Sequence, residues 1–170
     1  MKYPLILLTA MILTSNLSAQ SPAKACACCT EAQTQFHFWV GDWKAYTPNG
    51  KLAGTNRIVL LEDSCVMQEN WTSANGKYTG TSYNFYDKLS KQWRQTWIDN
   101  QGGHLLLFGG MEDGNMVLFS EPTPDGKGNL VINRITWTPN DDGTVRQHWE
   151  VSKDDKKTWQ TAFDGLYKKA

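Results

Sequence analysis

From residue 36 onward, apolar and polar positions alternate with period two in short runs, and Gly, Asn and Asp fill the gaps between them. Within 91–99, Trp93, Gln95 and Trp97 alternate with Gln92, Arg94 and Thr96. Within 143–152, Val145, Gln147, Trp149 and Val151 alternate with Arg146, His148 and Glu150. Successive side chains of a strand face opposite sides, so the first set of each pair is predicted to look inward. The same count groups Met67, Glu69 and Trp71 on one face, as it does Tyr83 with Phe85, Leu105 with Leu107, Met116 with Leu118, and Ile135 with Trp137.

The pattern predicts about ten strands, near 39–47, 51–61, 65–73, 77–87, 91–99, 103–110, 114–120, 129–138, 144–152 and 158–168. Between them stand turn sequences such as Pro48-Asn49-Gly50, Asn75-Gly76, Asp113-Gly114, Pro124-Asp125-Gly126 and Asp141-Asp142-Gly143. Asn-Gly and Asp-Gly supply the positive φ that tight hairpins require. A meander of this length must close on itself or leave two long edges exposed. The predicted fold is therefore all-β, an antiparallel up-and-down barrel of about 8–10 strands, with an immunoglobulin-like sandwich as the alternative. Helical periodicity is limited to a short turn around 30–35.

Composition agrees with an aromatic-rich β protein: the 170 residues include 8 Trp, 6 Tyr, 6 Phe and 14 Gly. With 17 basic against 17 acidic residues there is no positive field to gather phosphates, so nucleic-acid binding lacks electrostatic support. Near the N-terminus Lys2 precedes an apolar stretch from Pro4 to Leu13 and the small residues Ser18 and Ala19. This is the pattern of a signal peptide spanning 1–19, cut after Ala19. It is too short to span a bilayer, which takes about 20 residues. Lipidation at Cys26 is the competing expectation, and Lys24 stands where a lipidation signal wants small or apolar residues. The expected organisation is a leader, an arm over 20–35 that carries cysteines, and a barrel over 36–170, exported to the periplasm or the medium.

Export places the four cysteines in a disulfide-permissive compartment. Cys28 and Cys29 are neighbours and would bridge only under strain, so Cys65 is expected to pair with one of Cys26, Cys28 or Cys29. The bond would close a loop of about 36 residues, a constraint of order 3–4 kcal/mol. A thiolate site for copper or zinc, with His37 nearby, is the alternative, although the spacing fits no standard zinc pattern.

The inward set is aromatic with a few polar members, which suits a small-molecule pocket: apolar walls supply affinity, and a few hydrogen-bonding groups fix orientation. The candidate ligand contacts are Glu69, Trp71, Tyr83, Phe85, Gln95, Trp97, Trp137, Gln147 and Trp149. The same strands could instead pack a solid core, since an eight-stranded barrel can be filled. No Gly-x-Ser-x-Gly elbow, phosphate loop or metal-spaced His cluster occurs. If the protein is an enzyme, the candidate is a cofactor-free isomerase or lyase in which a desolvated Glu69 and Tyr83 act as an acid–base pair. A heme would need His104 or His148 as its ligand. No cofactor is predicted. The expected partner is a small, largely apolar molecule, and the remaining alternative is an interaction module using its outer surface.

The run Phe36-His37-Phe38-Trp39-Val40-Gly41-Asp42-Trp43 contains a Gly-x-Trp that resembles the signature of lipocalins and other calycins. The whole stretch is similar to the Phe-x-Phe-Trp-x-Gly-x-Trp opening of a group of bacterial exported proteins of unknown function. Further matching pieces are Asp63-Ser64-Cys65, 83–87 with 93–97, 134–137, 145–150 and 163–167, which together cover almost all of the chain after the leader. The resemblance implies a lipocalin-like barrel in which Trp43 plugs the closed end. It also implies a structural Arg, Arg134 or Arg146, packed over that Trp by a cation–π contact.

Overall fold

The computed structural model describes residues 26–170; the predicted leader and the first part of the arm lie outside them. Eleven strands follow a short helix, α1 (Glu31–Thr34), and a 3-10 turn over His37–Trp39. They are β1 (Gly41–Tyr46), β2 (Leu52–Leu61), β3 (Val66–Ser73), β4 (Thr79–Asp87), β5 (Gln92–Asp99), β6 (His104–Glu112), β7 (Asn115–Ser120), β8 (Thr123–Pro124), β9 (Leu130–Pro139), β10 (Val145–Ser152) and β11 (Gln160–Lys169). Each long strand pairs antiparallel with the next. The sheet closes where β11 joins β1 and β10 joins β9, giving a ten-stranded up-and-down barrel. The two-residue β8 lies outside this ring and pairs only with the start of β9. Closure removes the edge strands that a meander of this length would otherwise expose.

The segment expected to begin the first strand instead turns under the barrel and seals it. Phe36 and Trp39 are fully buried there with Trp43, Trp93, Trp137 and Tyr167. Phe36 stacks on Trp39 at 5.2 Å between centroids and meets Trp137 edge-on at 5.0 Å. Trp43 donates from Nε1 to the Trp39 carbonyl at 2.8 Å, and Trp93 donates to the Ala32 carbonyl at 3.1 Å. The cation over the Trp43 face is not an arginine: Lys169 Nζ stands 3.7 Å from the ring centroid and donates to the Val40 carbonyl. Arg134 and Arg146 lie on the outside. Arg134 pairs with Glu150 and covers Trp159 at 4.1 Å, while Arg146 makes two hydrogen bonds to Asp164.

Two disulfides tie the arm down. Cys28 pairs with Cys65, the last residue of the β2–β3 connection at the closed end, and Cys26 pairs with Cys29. That connection carries three successive non-glycine residues, Glu62, Asp63 and Ser64, at positive φ, a local cost that the surrounding structure must hold in place. All four cysteines are engaged in these two bonds. Among the described residues no helix is long and apolar enough to cross a membrane.

Candidate functional site

Above the plug, one layer of the barrel interior is polar. Glu69 on β3 is buried; its Oε1 accepts from Asn56 Nδ2 at 2.7 Å and its Oε2 from Ser82 Oγ at 2.7 Å. Ser82 in turn accepts from Asn84 at 2.9 Å and from Gln95 at 3.3 Å, and Gln95 Nε2 also donates to Asn84 Oδ1 at 2.8 Å. Across the barrel the buried Tyr167 donates its hydroxyl proton to Gln147 Oε1. Burial, which disfavours charge, lifts the Glu69 carboxyl to about 7 even though the donors Ser82 and Asn56 pull the other way. The Tyr167 phenol is raised well above its ordinary value, first by burial and then by the nearby Glu69 charge.

A cavity of about 270 Å³ opens above this layer toward the far end of the barrel. Its walls are Trp71, Trp97, Trp149, Phe163, Leu105 and Ile135, with Ala53 and Ala162 between them, and Glu69, Gln95, Gln147 and Tyr167 form its floor. Three of the rings have their seats in glycine. A Cβ on Gly54 would lie 2.7 Å from the Trp71 ring, one on Gly80 2.2 Å from the Trp97 ring, and one on Gly165 2.5 Å from the Phe163 ring. Each indole or phenyl therefore occupies the space that a Cβ would fill, as in the pairing of aromatics with sheet glycines. Trp149 is fixed differently, by donating from Nε1 to Asn133 Oδ1 at 2.9 Å. At the mouth the Tyr78 hydroxyl donates to Asp99 at 3.0 Å. Burial alone would raise the Asp99 carboxyl, but the backbone N–H groups of Gln101 and Gly103 and the Tyr78 hydroxyl together hold it below its ordinary value.

Of the predicted contacts, Glu69, Trp71, Gln95, Trp97, Gln147 and Trp149 meet in this cavity. Three do not. Tyr83 and Phe85 stand on the outer face of β4, 45% and 39% exposed, because that strand has the opposite parity and turns Ser82 and Asn84 inward. Trp137 is inside but one layer too deep, in the plug. The acid–base pair of Glu69 and Tyr83 is thereby broken by the barrel wall, and Tyr83 instead accepts from Gln68 at the surface. Neither candidate heme ligand lines the cavity: His148 faces Thr161 and Glu150 on the outside, and His104 is exposed at the start of β6. The pattern did not single out Tyr78, Phe163, Tyr167 or Asn56.

Two expected results follow from this geometry. Because Glu69 has a higher pKa folded than unfolded, the folded state holds the proton more tightly. The stability that this group contributes is then full below about pH 4.5 and is lost as pH rises through about 7. The loss should amount to about 3 kcal/mol. Urea unfolding at pH 5 and pH 8 should show it for the native chain, and Glu69→Gln should flatten the profile. Replacing Gly80 by alanine should displace the Trp97 ring and cost about 1–3 kcal/mol of overpacking strain, visible as a changed near-ultraviolet circular dichroism spectrum and a lower urea midpoint.

No family model matches the chain, and neither does any curated protein.

Proposed function

We propose that this protein is an exported lipocalin-like carrier that holds a small, largely apolar molecule in its barrel. The observation that carries this is the cavity of about 270 Å³, walled by aromatic rings already seated on glycine or hydrogen-bonded in place. A cavity of about 150 Å³ is enough for a benzene ring, so the space suits one ring system with short substituents. Preseated rings lose little freedom when the ligand arrives, which favours affinity. Two disulfides fit an oxidising compartment. The Phe-x-Phe-Trp-x-Gly-x-Trp opening supplies Phe36, Trp39 and Trp43 to the plug, in keeping with membership of the exported group it resembles.

Native mass spectrometry of the protein purified from its own host tests this reading. A retained small molecule, lost when Trp97 and Trp149 are both replaced by alanine, is the expected result. A bare mass, together with no saturable binding of small aromatic compounds to the purified chain, would overturn it.

The outer surface favours a second reading. Tyr83, Phe85, Ile98 and Leu106 form an exposed apolar stripe across β4, β5 and β6, a feature of protein contact sites. If that stripe is the working surface, Leu106→Glu abolishes function and leaves binding inside the barrel unchanged.

A further inference from the structure

We propose that the molecule held in the barrel is a cation, an amine or quaternary ammonium whose positive centre sits above Glu69 inside the ring of Trp71, Trp97, Trp149 and Phe163. This rests on the cavity being a ligand site, and it names the chemistry that site would select.

The charge inventory is one-sided. Glu69 is the only side chain among the cavity's lining residues that ionises to a charge near neutral pH, and no Lys, Arg or His stands with it. Its two hydrogen-bond donors, Asn56 and Ser82, are neutral. Four of the five salt bridges in the described residues join an Arg to a carboxylate and the fifth a His to one, and Glu69 is in none of them. A buried carboxylate without a cation is costly. Glu69 avoids that cost by keeping its proton up to about pH 7, and above that pH a cationic guest would supply the missing countercharge.

The rest of the cavity also favours positive charge. The faces of aromatic rings carry the negative end of their quadrupole, and a cation among several such faces is attracted to them, most strongly when desolvated. Gln95 spends its amide hydrogens on Ser82 and Asn84. Its Oε1 accepts no hydrogen bond among the described residues and remains as a further acceptor at the cavity floor. At the mouth, Asp99 is held in its ionised form by backbone N–H groups. Asp99 does not line the cavity but stands behind Tyr78, which does, so the one charged group near the mouth also disfavours an anionic ligand.

The groups facing Glu69 leave its titration as the controlling event. They are Asn56 from β2, Ser82 from β4, Gln95 from β5 and Tyr167 from β11, with Tyr78 further up; the two phenols are both raised and stay neutral. Cation affinity should therefore increase with pH as Glu69 ionises.

The test compares benzyltrimethylammonium with neopentylbenzene, which has the same shape and carries carbon in place of nitrogen. Quenching of tryptophan fluorescence at pH 8 gives both affinities. The expected result is at least a tenfold preference for the cation in the native chain, weaker at pH 5.5, and lost or reversed in Glu69→Gln while neopentylbenzene still binds. Equal or tighter binding of neopentylbenzene by the native chain overturns the cation proposal and leaves the carrier reading standing. A cation preference that survives Glu69→Gln overturns the assignment to this carboxylate. Failure of both probes to bind at millimolar concentration overturns the proposal and the carrier reading together.

Discussion

Trp39→Ala should lower the unfolding free energy by about 3–5 kcal/mol, whereas Trp97→Ala should cost much less stability and act mainly on ligand affinity. The difference comes from position. Trp39 has no solvent exposure, stacks on Phe36 at 5.2 Å and meets Trp137 at 5.3 Å, and its carbonyl receives the Trp43 indole proton. Truncation leaves a large void among rings that cannot collapse into it, because the strands above are held by the barrel's own closure. Trp97 already borders open space, so its loss enlarges a cavity instead of creating one. Denaturant unfolding of the two variants measures the contrast. Equal losses would mean that the upper interior is packed as tightly as the plug.

The second large effect is expected from the Cys28–Cys65 bond. Its partners are 37 residues apart, and closing a loop of that length in the unfolded chain is worth about 3–4 kcal/mol in the chain-entropy picture. Replacing both cysteines with alanine should shift the urea midpoint accordingly. The Cys26–Cys29 bond spans only three residues, and its double replacement should cost less than half as much. The long bond anchors the arm whose Phe36 and Trp39 form the plug, and it holds the turn in which Glu62, Asp63 and Ser64 adopt positive φ. Loss of the bond should therefore also speed hydrogen exchange at the closed end before it affects the cavity walls.

Much of this architecture was legible from alternation and turn chemistry. Ten of the eleven strands lie where the period-two runs predict them, and the ring closes as a meander of that length requires. The strand that misleads is β4. Its aromatic residues, Tyr83 and Phe85, suggest an inward face, yet the register sets Ser82 opposite both Glu69 and Trp97, and Asn84 opposite Met67 and Gln95. Buried polar groups need partners, and a strand between Glu69 and Gln95 has to turn polar side chains inward to provide them. That constraint can be inferred from neighbouring strands, though not from β4 alone. Alternation also says nothing of depth, so Trp137 in the plug and Ile135 in the cavity wall share one face without sharing a role. The plug cation escaped for another reason: Lys169 reaches Trp43 because β11 pairs with β1, a closure contact between the last strand and the first. Tyr78 lies within the predicted strand 77–87 but on the parity opposite to Tyr83 and Phe85, so the inverted reading of β4 places it outside as well.

The central claim is that the barrel holds its guest in the space between the polar floor and the open end. Soaking crystals in bromobenzene and collecting anomalous diffraction from the bromine tests it most directly. The account predicts a single strong peak bounded by Trp71, Trp97 and Trp149, above Glu69. Bromine found only against Tyr83, Phe85 and Leu106 on the outer face, or an interior closed by its own side chains, would contradict it.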